Sequence, residues 1–347
     1  QGASSRLRFF QYVPELERAG FSITIDALFD ADYLAAIYSN RRNIGAILSG
    51  YRRRVAALVR KNKIDVIWLE KEALPWLPGT VERSLLPTLV PIVSDYDDAV
   101  FHRYDQHRSR VVRKFLSNKI ADVMHHSRLV MAGNQYLADY AQNAGAENVV
   151  IVPTVVDMDA YALKPSRNSD APAVIGWIGT PGTWRDCVRP FAPTLLRVQR
   201  AHVARFMVVG ARQAIADASG LDLRDWSENT EASNICEMDI GIMPLPDTAW
   251  MRGKCGYKLI QYMASGLPVV ASPVGVNTEI VEDGVNGFLA SSEAEWDRAL
   301  TILLGNPSLR ARMGRAGREK VVKSFSLQAQ GPRVAQLLQQ VARERHA

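Results

Sequence analysis

The chain has 347 residues, about twice the size of a usual single domain, so two domains are expected. Hydrophobic residues make up 47% and charged residues 22%, which excludes a disordered chain, a collagen and a disulfide miniprotein. Forty-two basic residues against 36 acidic ones leave a net charge of +6.

Taken in chain order, the opening QGASSRLRFF has no apolar stretch of signal-peptide type. Gly2-Ala3-Ser4-Ser5 reads as a loop with a serine helix cap, entered without the apolar strand that usually precedes such a loop. A missing upstream strand is therefore expected. FSITIDAL (21–28), DVIWLE (65–70), PIVSDY (91–96), RLVMAG (128–133) and NVVIVP (148–153) read as strands, with helical patterns at 43–61, 108–124 and 134–143. The polar segment KPSRNSDAP (164–172) reads as a linker. Beyond it, AVIGWIG (173–179), RFMVVGA (205–211), DIGIMPL (239–245), LPVVASP (267–273) and GFLA (287–290) read as a second set of strands. Helical patterns fill 184–199, 228–237, 256–264, 293–304, 307–323 and 327–344. Strands alternating with helices predict parallel sheets covered on both faces. The expected fold class is α/β, two Rossmann-like doubly wound domains facing a cleft. The expected boundaries are 1–153, a linker at 154–172, a second domain at 173–325, and a last helix at 326–347 that crosses back to the first.

The basic excess is uneven. Arg41, Arg42, Arg52, Arg53, Arg54, Arg60, Lys61 and Lys63 occur between 41 and 63 without an acid, beside Ile44, Ile47, Leu48, Tyr51, Val55, Leu58 and Val59 at helical spacing. Such a helix fits an anionic membrane surface or an acidic acceptor, or a core-facing helix with a solvated back. Between Val100 and Arg128 there are seven basic residues, two acidic ones and four histidines. No zinc finger, RNA-binding aromatic pair or helix-turn-helix pattern accompanies these stripes, so nucleic acid is not an expected partner. Cys187, Cys236 and Cys255 fit no disulfide or zinc spacing, and no apolar run reaches the roughly 20 residues of a membrane span. A cytoplasmic protein is expected.

The stretch RGKCGYKLIQYMASGLPVVA, from Arg252 to Ala271, carries the most chemistry. Gly253 and Gly256 surround Lys254 where a helix should begin, and Lys254 and Lys258 are expected on one helical face, with Gln261 one turn further. Glycines admit a ligand close to the backbone, and a helix N-terminus attracts anions. Two lysines there suit a diphosphate, and Gln261 suits a ribose hydroxyl. An ordinary helix with a solvated lysine face fits the spacing equally well.

The longer run KCGYKLIQYMASGLPVVASPVGVNTEIVEDGVNGFLA resembles the donor-site region of retaining family 4 glycosyltransferases of the GT-B fold (glycosyl transferases group 1). PTVVDMDAY (153–161) resembles the interdomain connector of that family, and VIGWIGTPGTW (174–184) resembles the first strand and Gly-rich loop of its donor domain. SDYDDAVFHR (94–103) and SRLVMAGNQYLADY (127–140) resemble strand–helix units of its acceptor domain. The resemblance implies transfer of a sugar from a nucleotide-diphosphate donor to a saccharide or lipid-linked acceptor, with retention and without a metal. The nucleotide-sugar is then a substrate, and no cofactor is implied. It assigns Gly179, Thr180, Arg252, Lys254, Gly256, Gln261, Gly275, Val276, Asn277 and Glu279 to donor binding. Lys258 becomes the stabiliser of the leaving phosphate, and Asp98, in a loop with Asp95, Asp97 and His102, a contact for a sugar or acceptor hydroxyl.

The chain departs from the family pattern at two positions. The family's two glutamates, eight apart, are Gly253 and Gln261 here, and Arg185 is the one cation of the GTPGTWRDC loop. An epimerase of the same fold and a non-catalytic binding subunit are the alternatives. A nicotinamide dehydrogenase lacks its GxGxxG. The pairs Asp95-x-Asp97 and Asp157-x-Asp159 offer too few oxygens for a metal, and Trp184, just past the Gly-rich loop, is either a base-stacking or a packing residue.

Overall fold

The computed structural model describes residues 2–29, 44–59, 64–87, 89–164, 171–215 and 220–343. Within these residues the chain divides into two compact units. The first comprises 1–153 with 331–347, and the second 154–330. The linker residues 165–170 and the basic residues Arg41, Arg42, Arg60, Lys61 and Lys63 lie outside the described residues.

The first unit holds four parallel strands, β1 (Ile67–Glu70), β2 (Ile92–Tyr96), β3 (Leu129–Ala132) and β4 (Val149–Ile151), paired in that order. β2 and β3 are buried throughout, as parallel strands covered on both faces must be. The polar residues inside are satisfied in place. Arg8 forks onto Asp95 at 2.7 and 3.0 Å and donates to the Val152 carbonyl at 2.7 Å. Lys119 is buried against Glu72 (2.9 Å) and Glu82 (3.2 Å), and Glu82 also accepts the amides of Ala73 and Leu74.

Residues 21–27 form no strand, against the alternating pattern of FSITIDAL. Among the described residues the segment pairs with no strand of the sheet, whose edge is β1, and Ile25 stays exposed. Helix Ile44–Val59 packs Tyr51, Val55 and Leu58 against the core. Ile44, Leu48 and Val59 remain exposed, at 67%, 61% and 57%.

The second unit is a six-stranded parallel sheet. It is built from β5 (Val174–Ile178), β6 (Arg205–Val209), β7 (Leu221–Arg224), β8 (Ile240–Met243), β9 (Val269–Ala271) and β10 (Gly287–Leu289). The order β10-β9-β8-β5-β6-β7 runs outward from β5 to β7, then restarts beside β5 at β8. This doubly wound order creates a switch point between β5 and β8, outside whose carboxyl ends ligands bind in open α/β sheets. Helix Tyr257–Ala264 lies close over the sheet. A side chain at Gly241 of β8 would run into the Tyr262 ring, and the Tyr262 hydroxyl accepts the Ile178 amide at 3.0 Å. β7 escaped the sequence reading, because Leu221-Asp222-Leu223-Arg224 is a short, half-exposed edge strand with two charges.

Candidate functional site

The loops after β5, β8 and β9 meet at the switch point. After β5, the Gly179 amide donates to Val209 at 3.0 Å, and a side chain there would strike Trp177 and Thr183. Thr180 then caps the short helix Pro181–Thr183 reciprocally with Thr183. After β8, the helix Ala249–Arg252 ends in a turn through Gly253 and Lys254 to Gly256, whose φ of +67° favours glycine. A Cβ on Gly256 would collide with Ile280 and come to 3.2 Å from Val276. After β9, Gly275 has φ +54°, and a Cβ on it would approach the Arg252 carbonyl to 2.6 Å. Gly275 therefore lies against the backbone of Arg252, and Gly256 against the side chains of the turn that follows Gly275.

The amides of Asn277, Thr278, Glu279 and Ile280 are bonded within the turn 274–280, whereas those of Gly275 and Val276 are not. Asn277 ties the turn to its strand by donating to the Ser272 carbonyl at 3.0 Å, and its buried Oδ1 has no hydrogen-bond partner. Glu279 is exposed on the short helix Asn277–Ile280.

The lysines do not share a helical face. The left-handed Gly256 breaks the helical path, so the helix starts at Tyr257 and Lys254 sits in the turn before it. Lys258 lies 5.9 Å from the centre of the Trp177 ring, and Lys254 lies 5.6 Å from that of Trp250. Both ammoniums nevertheless act on one place. Burial pushes the Cys187 thiol up, and Lys258 and Lys254 both oppose that shift. Both charges are thus felt at Cys187, in the segment that follows β5. Arg252 forks onto Asp247 at 2.7 and 3.0 Å on the surface.

Gln261 is buried, and its amide donates to the Tyr161 hydroxyl at 2.8 Å. Tyr161 in turn donates to Glu231 at 3.1 Å. Burial and the Glu231 charge push the Tyr161 hydroxyl well above the usual tyrosine range. Sequence reasoning missed this network, whose members are 70 and 100 residues from Tyr161. Trp184 is core. It is buried edge-on against Trp177 at 5.6 Å and tilted on Phe206 at 6.2 Å, which leaves no face for a base.

Asp98 belongs to the first unit, where it is half-buried after β2. It is not a helix cap, since the next helix, His102–Asp105, begins after Phe101 without a side-chain cap. Lys71, at the end of β1, bonds Asp97 at 2.9 Å and Ser4 at 2.8 Å. His102 is held between Asp105 (3.0 Å) and the Tyr136 hydroxyl (2.8 Å). Asp95 is engaged by Arg8 and Trp68, and Asp157 caps its own turn by accepting the Asp159 amide at 3.1 Å. Among the described residues, no three His, Cys, Asp or Glu side chains are grouped to hold a metal ion, and no helix is long and apolar enough to cross a membrane.

Residues 172–306 match the family model described as glycosyl transferases group 1. No curated protein matches the sequence. Among solved structures, the fold is similar to sucrose-phosphate synthase from Thermosynechococcus elongatus, with a TM-score of 0.65 at 16% identity over 85% of this chain and 78% of that one. It is also similar to Anabaena HepE in complex with UDP and glucose (TM-score 0.63, 17% identity, 82% and 80% of the two chains). A glycosyltransferase from Rickettsia africae gives a TM-score of 0.64 at 13% identity over 98% and 96%. Residues 172–306 thus carry the likeness to the glycosyl transferases group 1 family, and the fold of the chain is that of GT-B glycosyltransferases.

Proposed function

We propose that the protein moves a sugar from a nucleotide-diphosphate donor to a saccharide or lipid-linked acceptor, with retention at the anomeric carbon and without a metal ion. The observation that carries this reading is the pair of glycine turns at Gly256 and Gly275, packed close together after β8 and β9, with Lys254 in the first turn and Lys258 at the start of the helix that follows it. Backbone can approach a diphosphate there, and the amides of Gly275 and Val276 face no partner within their own turn.

In the proposed reaction the bond from the anomeric carbon to the diphosphate breaks, and the acceptor hydroxyl joins from the same side. The acceptor proton passes to the departing diphosphate oxygen. Lys258 stabilises the charge that develops on this oxygen, with Lys254 in support, and this is the kind of electrostatic contribution that preorganised cations make. Gly179, Thr180, Asn277 and Glu279 shape the donor side. Asp98 of the first unit contacts the acceptor or the sugar. Arg252 is bound to Asp247 and Gln261 to Tyr161, so both act on the donor through the turn and helix that carry them.

The enzyme is proposed to work in the cytoplasm, at the inner face of an anionic membrane, in polysaccharide or glycolipid assembly. Exposed Ile44 and Leu48, next to exposed Arg52 and Arg53, favour helix Ile44–Val59 as the contact.

The test is a panel of UDP-, GDP- and ADP-sugars scored by thermal shift, because a ligand at 100 times its dissociation constant stabilises by about 2.7 kcal/mol. UDP-glucose comes first, since the HepE structure holds UDP and glucose. Turnover of the stabilising donor with glycan acceptors is then followed by mass spectrometry. Sugar transfer supports the proposal. Isomerised donor alone would indicate an epimerase, and binding without turnover a non-catalytic subunit.

A further inference from the structure

The polar network that begins at Gln261 ends on Trp226. The indole N–H donates to Glu231 at 2.8 Å, and Glu231 is the residue that also accepts the Tyr161 hydroxyl. Glu231 is buried, yet Trp226 is 47% exposed. Its polar edge is therefore fixed to a buried carboxylate while about half of the residue faces water. Single exposed aromatics are common on surfaces, but an exposed aromatic locked by a buried carboxylate is rigid.

The backbone gives this ring its place. Trp226 is the second residue after β7. Gly210, the first residue after β6, donates its amide to Arg224 of β7 at 2.9 Å. A Cβ on Gly210 would lie 3.1 Å from the Cβ of Trp226 and would overlap the carbonyl of Gly179, the first residue after β5. The three strand ends are closed up against one another, and Trp226 stands at their carboxyl edge. This is the β5–β7 side of the switch point, and the lysines follow β8, on the other side.

We infer that Trp226 is a stacking platform for the base of the nucleotide donor. The inference rests on the donor reading above and adds a residue that neither the family resemblance nor the lysine motif supplied. Stacking on an aromatic face is tolerant of base identity, because every base has a π-face. The platform therefore contributes affinity, and the choice of base falls to other groups. Through Glu231, Tyr161 and Gln261 it shares one buried network with the helix that carries Lys258.

The experiment titrates UDP, GDP, ADP and inorganic pyrophosphate into the full chain by calorimetry. Trp226→Ala should weaken the tightest of the three nucleotides by about tenfold or more, the scale of losing one base–aromatic stack. Trp226→Phe keeps a π-face but loses the bond to Glu231, so it should lose less than Trp226→Ala, and pyrophosphate should bind all forms alike. Trp226→Leu keeps an apolar side chain without the π-face. It should behave as Trp226→Ala does, and it replaces that variant if the smaller side chain unfolds the loop. Unchanged nucleotide affinity in a folded Ala or Leu variant overturns the platform and leaves the donor reading standing. Equal losses for nucleotide and pyrophosphate also overturn it, since the base is then not what Trp226 holds. A wild type that binds none of the three nucleotides overturns the donor reading and the platform together.

Discussion

Gln261 gives its side-chain amide to the hydroxyl of Tyr161, 100 residues earlier in the chain, at 2.8 Å. That hydroxyl has one proton, and it goes to Glu231. An amide at position 261 is thus the partner that lets Tyr161 satisfy a buried carboxylate. A glutamate at 261 would compete with Glu231 for the same proton.

Gln261→Glu should therefore destabilise the protein at neutral pH, by about 1–3 kcal/mol, the cost of a buried group left without its hydrogen bond. The penalty should shrink on acidification, because a protonated carboxyl can donate to Tyr161 as the amide does. Thermal melts of both forms between pH 4 and 8 check this. A variant as stable as the wild type at pH 8 would mean that position 261 is not bound as described.

Lys258→Ala should lower kcat/KM by roughly 10²-fold or more, the scale of removing a preorganised electrostatic stabiliser. Lys254 reaches the same region from the turn and should give a smaller loss. Steady-state kinetics with the donor found in the panel measure both, and an undiminished rate in folded Lys258→Ala would remove that residue from the mechanism.

The Lys71–Asp97 pair makes the first unit pH-sensitive at both ends. Burial pushes the Asp97 carboxyl up, but Lys71, Ser4 and Arg8 together outweigh it and hold the group below its usual 3.8. Burial likewise pushes the Lys71 ammonium down, and Asp97, Glu70 and Asp98 together outweigh that and hold it above 10.5. A depressed carboxyl contributes stability above its unfolded value and loses it as pH falls through the folded one. A raised ammonium contributes below its unfolded value and loses it as pH rises through the folded one. Asp97→Asn should lower the melting temperature at pH 7, and the gap to the wild type should close below about pH 4. A gap that persists undiminished at pH 2.5 would assign the loss to packing.

Vesicles rich in anionic lipid should co-sediment with the protein at low salt and release it as salt rises, because exposed charges are screened beyond about 8 Å at physiological ionic strength. Charge reversal of Arg52 and Arg53 should weaken binding, each cation near the surface contributing about 1 kcal/mol. Arg54 was part of the same basic run, but it is bound to Asp26 at 3.1 Å and reaches the Ala73 carbonyl, so its role is internal. Ile44→Ser with Leu48→Ser should weaken binding at all salt concentrations. No sedimentation of the wild type at low salt would discard the membrane contact.

Much of the fold was legible because parallel strands are apolar on both faces. Val174–Ile178, Ile240–Met243 and Val269–Ala271 stand out as short runs, and Gly256, Ser265 and Gly266 mark both ends of the helix between two of them. What failed was what depends on neighbours. FSITIDAL alternates as a strand does, but alternation cannot tell whether a partner lies alongside. Lys254 and Lys258 are spaced for one face, but spacing cannot show that Gly256 turns left-handed between them. The Gly275 turn was legible as a loop, whereas its fit against the Arg252 carbonyl was not. Trp184 follows a strand that the sequence shows, whereas Trp226 follows β7, which it does not. Packing against Trp177 and Phe206 buries the first, and the Glu231 carboxylate holds the second at the surface.

The pairing of β5 with β8 also governs when a binding site can exist during folding. Ile175 pairs with Ile240 and Gly176 with Gly241, so the two strands that flank the switch point come from opposite halves of the second unit. Such non-local pairing has a high loop-closure cost and forms slowly. During synthesis the loop after β5 emerges long before the lysine turn that completes its surroundings. Nucleotide affinity should accordingly appear in one step, after the chain has passed β9 and its glycine turn. A nascent chain stopped at residue 235 would carry Gly179, Thr180 and Trp226 and still have no donor site to offer.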